Sequence, residues 1–240
     1  MKQVVQNYKT GMLKVEEVPC PQVQKTGVLV KTHASFISVG TERTKVETAR
    51  MNIIEKAISR LDLVKIVLNN VKQEGLGFTL KKAMNKLDMS TSLGYSCAGE
   101  VIEAGVESKE FKLGQRVACV GESYAAHAEV NSVPNKFIVP IPDNVDYSEA
   151  SFVGLGAIAL NAVELAQVLD NEVVVVIGLG LIGQMVIQIL KAKNCAVLGI
   201  EIDEAKISLA KKLGITACIN PREDDIDAAV NNLSNGKGAD

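Results

Sequence analysis

The sequence predicts an α/β plus β chain in two parts: a β-rich part with a helical insert, then a doubly wound parallel sheet that stops early. Three observations carry this. Short alternating and continuous apolar runs, separated by Gly, Ser and Asn turns, fill residues 1–41 and 93–142. Between them, at about 42–90, apolar residues recur at helical spacing. From Asn171 onward, all-apolar strands alternate with helices, the pattern of a sheet covered on both faces. The domain boundary is placed at residue 150, giving 1–150 and 151–240.

Composition narrows the function classes. With 240 residues, 47% apolar and 22% charged, the chain reads as a globular protein of one or two domains. A net charge of −2 offers no electrostatic footprint for nucleic acid or a membrane surface. Aromatics are 4% and Trp is absent, so base-stacking platforms are not expected. No apolar run reaches the roughly 18 residues of a membrane span. The start, MKQVVQNYKTG, lacks a signal-peptide apolar block, so a cytoplasmic location is expected. Five dispersed cysteines (Cys20, Cys97, Cys119, Cys195, Cys218) read as reduced, largely buried side chains.

In the first part, Gly27–Gly40 reads as strand. The insert carries Leu61, Val64, Val67, Leu68 and Val71 on one helical face, and Leu80, Ala83, Met84 and Leu87 on another. Its ten Lys/Arg against six Asp/Glu read as a solvated face. Gly99–Ala104, Gln115–Val120 and Ala126–Val130 are expected strands of a barrel or sandwich. Asp146 with Glu149 forms a capping box. A helix is expected over Ala157–Val168, after a break at Gly154-Leu155-Gly156.

The second part is expected to run Val173–Ile177 (strand), Leu181–Lys191 (helix), Ala196–Ile200 (strand), Glu204–Leu213 (helix), Ile215–Asn220 (strand) and Asp224–Leu233 (helix). Gly214 ends the second of these helices. Its first junction reads VVVVIGLGLIGQ, with glycines at 178, 180 and 183. Glu201 ends the next strand, 18 residues after Gly183. Strand, glycine loop, helix and acid in this register make a Rossmann dinucleotide site. Gly178 permits the tight turn, Gly180 lets backbone approach a pyrophosphate, and Gly183 lets helix pack on strand. The N–H groups of Leu181 and Ile182 open the helix, where negative charge is favoured. Glu201 would bond both ribose hydroxyls and repel a 2′-phosphate, favouring NAD over NADP. FAD uses the same fingerprint near chain starts. Here it follows about 170 residues, which suits a nicotinamide enzyme.

The chain resembles the medium-chain dehydrogenase/reductase superfamily, whose GroES-like β domain precedes a Rossmann domain. The resemblance lies in Val28–Ser38 (VLVKTHASFIS), Leu93–Gly105 (LGYSCAGEVIEAG), Phe111–Gly121 (FKLGQRVACVG), Tyr124–Val130 (YAAHAEV), GLGLIGQ and Leu198–Lys206 (LGIEIDEAK). It implies that Leu179 and Lys206 join the cofactor contacts. Among subgroups, the chain is similar to one carrying SxGTER and LGYSxAG, here at Ser38–Arg43 and Leu93–Gly99. That subgroup includes bacteriochlorophyllide-dehydrogenase-like proteins and two-part bacterial oxidoreductases linked to sugar or polysaccharide metabolism.

The resemblance also shows departures. Zinc members carry Cys where Ser38 stands, and Gly-His-Glu where Gly94-Tyr95-Ser96 stands. No Cys lies near Gly154–Ala157, and the four-cysteine structural lobe is missing. Hydroxyl and phenol groups make poor zinc ligands, so no metal is expected. His33 and His127 both fall in strand-like alternation and read as structural. Without zinc, Tyr95 is placed to polarise or protonate the substrate oxygen, with Ser38 and Glu42 beside it. Two roles stay open for each acid–base candidate. Tyr95 either acts or fills the space of the metal; Glu42 either acts or caps the insert.

Family members begin a fourth strand where this sequence ends, at GKGAD. Val173–Ile177 would then be an open apolar edge. The expectation is a piece of a longer protein, or an assembly, homo-oligomeric or otherwise, that covers the edge. The expected activity is zinc-independent, NAD-dependent hydride transfer on a small hydroxyl or carbonyl substrate. The alternatives are a silent dinucleotide-binding protein or inactive fragment, and a docking module built on the basic insert.

Overall fold

Backbone pairing in the computed structural model, which describes residues 1–7, 10–50 and 90–240, separates two compact units, Met1–Val153 and Gly154–Asp240. Element numbers refer to these described residues. The first unit contains β1 (Lys2–Asn7), β2 (Leu13–Glu17), β3 (Gly27–Ser35), α1 (Val39–Arg50), β4 (Ser90–Ser92), β5 (Ser96–Ala104), β6 (Arg116–Val120), β7 (Val130–Pro134) and β8 (Ile138–Pro140). The short helix α2 (Tyr147–Ala150) follows. One antiparallel sheet runs β7-β3-β5-β6-β8 and a second runs β2-β1-β4, with a single bridge from Gln3 to Ala128.

The larger sheet forms because its valines alternate onto one face. Val28, Val30, Val101, Val117 and Val133 are all buried. Each is worth about 1.5–3 kcal/mol relative to exposure. α2 starts where expected: Glu149 N–H donates to Asp146 Oδ1 (2.8 Å), and Asp146 N–H donates to Glu149 Oε2 (3.0 Å). The insert begins as α1, but residues 51–89, with both expected helices, lie outside the described residues.

One expected strand is absent. Ala126–Val130 is irregular, and the strand starts instead at Val130. The reason is Asn131, buried in β7. Its Oδ1 accepts from Ala126 N–H (3.0 Å), and its Nδ2 donates to Ala126 O (3.1 Å) and Thr32 Oγ1 (3.0 Å). A side chain thus serves the backbone groups of Ala126 that a ladder would otherwise need.

The second unit contains most of α3 (Val153–Leu165), then β9 (Val173–Ile177), α4 (Leu181–Ala192), β10 (Ala196–Ile200), α5 (Glu204–Leu213), β11 (Ala217–Ile219) and α6 (Ile226–Ser234). β11, β10 and β9 form a parallel sheet in that order, with Ala196 opposite Val173 and Ile200 opposite Ile177. Its core joins Leu179, Ile187, Leu190, Val197 and Ala210. Gly214, at φ 85°, ends α5 as expected.

Boundaries differ most from expectation in α3, β11 and α6. α3 runs straight through Gly154 and Gly156, so no break occurs there. Each glycine costs about 1 kcal/mol in a helix, and burial of Leu155, Ala159 and Val163 at a four-residue period outweighs it. The helix stops before Gln167, whose φ is +55°. β11 is shorter than expected, because Thr216 Oγ1 rather than its backbone accepts Val197 N–H (2.9 Å). α6 starts two residues late, capped by Asp225, which accepts from Ala228 N–H (3.1 Å).

β9 is the sheet edge among the described residues, with Ile177 80% exposed. At its start, Val173 O accepts from Asp240 N–H (3.0 Å), and Val173 N–H donates to Asp240 Oδ2 (2.9 Å). No helix among the described residues is long and apolar enough to cross a membrane.

Replacing Asn131 by Ala should destabilise the first unit by about 1–3 kcal/mol, because the buried Ala126 N–H loses its partner while Ala126 O keeps only Ala128 N–H. Urea unfolding measures this. A loss under about 0.5 kcal/mol would show that Asn131 does not anchor the irregular segment.

Candidate functional site

Each unit brings together one set of the residues singled out above. In the second unit the glycine loop joins β9 to α4. Gly178 has φ +87°, a conformation that side chains rarely adopt. A Cβ on Gly183 would lie 2.1 Å from Gly178 O, so helix and loop touch only because residue 183 has none. A Cβ on Gly180 would meet nothing within 4 Å, which leaves that surface open. Gly180 is also the N-cap of α4, and no side chain caps this end. The Leu181 and Ile182 N–H groups therefore open the helix without a side-chain acceptor.

Glu201 closes the loop from the side. Its Oε1 accepts from Ile202 N–H (2.9 Å) and Asp203 N–H (3.2 Å), and its Oε2 accepts from Leu179 N–H (3.0 Å). Lys206 Nζ lies 3.7 Å from Glu201 Oε2 and 3.5 Å from Asp203 Oδ2. Burial pushes the Glu201 carboxyl up, but the Ile202, Leu179 and Asp203 amides and the Lys206 charge outweigh it. The group is held below its usual range and is ionised at neutral pH.

A carboxylate has about four acceptor directions, and three are taken here. One ribose hydroxyl fits readily; the expected second needs the Leu179 amide to give way. Leu179 itself has its side chain fully buried and its N–H committed to Glu201. It anchors the loop rather than facing a ligand. An open glycine, uncapped amides and an ionised acid together fit a dinucleotide.

The sequence reading missed Gln184. Its Nε2 donates to Leu179 O (2.9 Å) and Lys206 O (2.9 Å), tying the loop to α5. The signal was a polar residue on an otherwise apolar helix face.

In the first unit, Ser38 and Glu42 meet at the start of α1. Ser38 N–H donates to Glu42 Oε1 (3.0 Å), so Glu42 does cap this helix. Ser38 Oγ donates to Thr41 Oγ1 (3.3 Å). Glu42 reaches further than a cap needs: its Oε2 and Oε1 lie 3.1 and 3.2 Å from His127 Nε2. On the other ring nitrogen, His127 Nδ1 is 2.9 Å from Ser35 Oγ. The Glu42 and His127 side chains are only 11% and 9% exposed.

His127 thus lies outside a strand and inside a polar cluster, contrary to the strand-like reading. His33 does sit in β3, stacked on Tyr147 at 4.4 Å. Tyr95 is half-buried and its carbonyl accepts from Gly121 N–H (2.8 Å). Its phenol forms no hydrogen bond with Ser38 or Glu42, so the expected trio is not assembled by direct bonds.

Other chemistry is limited. Cys119 faces Cys97 across β5 and β6. The Cys97 thiol and then burial push the Cys119 thiol far up, so it is no nucleophile. Among the described residues no group of three His, Cys, Asp or Glu converges as a metal site would require. The hydroxyl of Ser38 and phenol of Tyr95 do not fit zinc.

The profile of a family described as zinc-binding dehydrogenase matches residues 182–240. An uncharacterised zinc-type alcohol dehydrogenase-like protein of Escherichia coli K12 is 27% identical over 177 residues, 62% of this chain and 51% of that protein. Sorbitol dehydrogenase of Bacillus subtilis 168 is 24% identical over 176 residues, 62% of this chain and 50% of that one. The chain spans about half the length of these curated relatives. The solved quinone oxidoreductase of Coxiella burnetii superposes with a TM-score of 0.69 at 23% identity, covering 96% of this chain and 65% of that one. That likeness is one of fold and runs through both units, a GroES-like β part followed by a Rossmann-type part. Together with the profile and the curated relatives, it makes this chain similar to zinc-type alcohol dehydrogenase-like proteins, with the fold seen in the solved oxidoreductases.

Proposed function

We propose that this chain is the substrate-domain and adenosine-binding portion of an NAD-dependent oxidoreductase that interconverts a hydroxyl and a carbonyl on a small, polyol-like substrate. The observation that carries the reading is the uncapped N-terminus of α4, set behind an open Gly180 and beside the ionised Glu201. Amides without a side-chain acceptor at a helix start favour two linked phosphates. A fixed anion favours a free ribose hydroxyl over a 2′-phosphate, because the phosphate would add repulsion. The nicotinamide, when bound, supplies the hydride acceptor or donor. The relatives named as sorbitol and alcohol dehydrogenase-like proteins support the substrate class.

Within that reading the enzyme works without zinc, as in the subgroup whose SxGTER and LGYSxAG signatures it shares. The Ser38 and Tyr95 positions offer oxygen donors that suit proton handling better than a metal. Leu181 and Ile182 amides hold phosphate, Glu201 and Lys206 orient the ribose, and Tyr95 is a candidate to bond the substrate oxygen. A second reading, a silent dinucleotide binder, is favoured by the lack of a bond between Tyr95 and the Ser38–Glu42 pair. A cytoplasmic location and a partner or further segment along β9 belong to the same proposal.

Three outcomes test it. Gly180→Leu should raise the NADH dissociation constant at least tenfold, read by NADH fluorescence, since its side chain would occupy the phosphate surface; unchanged affinity places the coenzyme elsewhere. Tyr95→Phe should lower turnover with hydroxyl substrates while leaving NADH binding intact; equal turnover removes the phenol from the mechanism. Glu201→Gln should weaken NADH about 10- to 100-fold. Because Glu201 is held low when folded, its stabilising contribution is present at neutral pH and fades as acid protonates it. The stability gap between Glu201→Gln and the parent chain should therefore shrink on acidification, and a constant gap contradicts the ionised assignment.

A further inference from the structure

Three sequence segments that look unrelated in the chain end on one imidazole. Glu42 comes from the SVGTER signature, Gly94 from LGYS, and Ser35 from the end of β3. Glu42 lies 3.1 Å from His127 Nε2, and Ser35 Oγ lies 2.9 Å from Nδ1. Gly94, at φ +96°, packs against the same residue. A Cβ there would fall 2.7 Å from His127 N and 3.0 Å from its Nδ1. Two signature positions therefore make room for, and bond to, a histidine that lies in neither signature.

We propose that Ser35, His127 and Glu42 form a proton-transfer chain, in which the Ser35 hydroxyl exchanges a proton with the substrate hydroxyl and His127 is the base behind it. This rests on the oxidoreductase reading above and deepens it. An ionised carboxylate only accepts hydrogen bonds, so Glu42 fixes the proton of neutral His127 on Nε2. Nδ1 is then left as an acceptor, and Ser35 Oγ–H is its donor. Glu42 is itself held by Ser38 N–H at 3.0 Å, so the carboxylate cannot swing away from the ring without uncapping α1. Among the described residues, Glu42 is the one charged side chain bonded to the imidazole. Burying a carboxylate against an imidazole is costly for a merely structural contact. The same geometry is what a base and its orienting acid require.

The proton and electron balance is complete. As the substrate carbon loses hydride, with its electron pair, to the oxidised nicotinamide, the substrate O–H proton passes to Ser35 Oγ. The Ser35 proton passes at the same time to His127 Nδ1. The products are a carbonyl, the reduced nicotinamide and an imidazolium stabilised by Glu42. Reduction runs the steps in reverse.

The chain has two histidines, so imidazole nitrogen NMR resolves His127 once His33→Gln assigns the other signal. The expected result is the Nε2–H tautomer for neutral His127. Glu42→Gln should populate the Nδ1–H form, and Ser35→Ala should shift the Nδ1 resonance. An Nδ1–H tautomer in the parent chain, or no response to Ser35→Ala, overturns the proposal without touching the coenzyme assignment. In the protein as it turns over, His127→Gln should lower kcat about 100-fold or more, change KM little, and remove the pH dependence set by the imidazole. Retained kcat with an unchanged pH profile overturns the relay while leaving an oxidoreductase. Absence of NADH uptake in the parent protein removes the function itself, and the substrate step with it.

Discussion

Helix α4 rests against its loop because residue 183 has no side chain. A Cβ there would sit 2.1 Å from Gly178 O, closer than any packing tolerates. That contact sets the chain direction out of β9 and the start of α4. It also brings the Leu179 amide within reach of Glu201. Take it away and the helix N-terminus no longer points its amides at an open surface. The open amide surface at the start of α4 follows from this single approach of backbone to backbone.

Glu201 is the complementary constraint. Three amides and a lysine surround one carboxylate, so the acid locks the loop before any ligand arrives. Preorganisation of this kind lowers the entropic cost of binding. It also leaves the acid with fewer free acceptor positions than a ribose with two hydroxyls would use. In the proposed reading, recognition of the sugar and rigidity of the loop therefore compete for the same oxygen atoms.

The first unit organises its polar interior around His127. Glu42 serves as helix cap and ring partner at once, and Gly94 yields the space the ring occupies. Sequence reading found Ser38 and Tyr95 at positions where zinc members of the resembled family carry ligands, and Glu42 as their neighbour in the GTE turn. It passed over His127 and Ser35, because a histidine in AAHAEV alternates with alanines just as a strand residue would. The hydrogen bonds of Asn131 are what lift that segment out of the ladder. No local pattern announces a contact between residues 42 and 127. The Gly154 and Gly156 error has the same origin: propensity marked a break, and burial of Leu155, Ala159 and Val163 overrode it.

What sequence alone determined is the local chemistry with a fixed register. The strand, glycine loop, helix and acid of residues 173–201 are legible because each role depends on spacing along one stretch of backbone. The capping box at Asp146 and the glycine end of α5 are legible for the same reason. Tertiary structure decided everything that needed two distant segments to meet: the pairing of Glu42 with His127, the packing of Gly94 against that ring, and the hold of Glu201 on Leu179. Such contacts depend on which side chains the packed sheets bring within about 3 Å, and a linear pattern carries no distance between residues far apart in the chain.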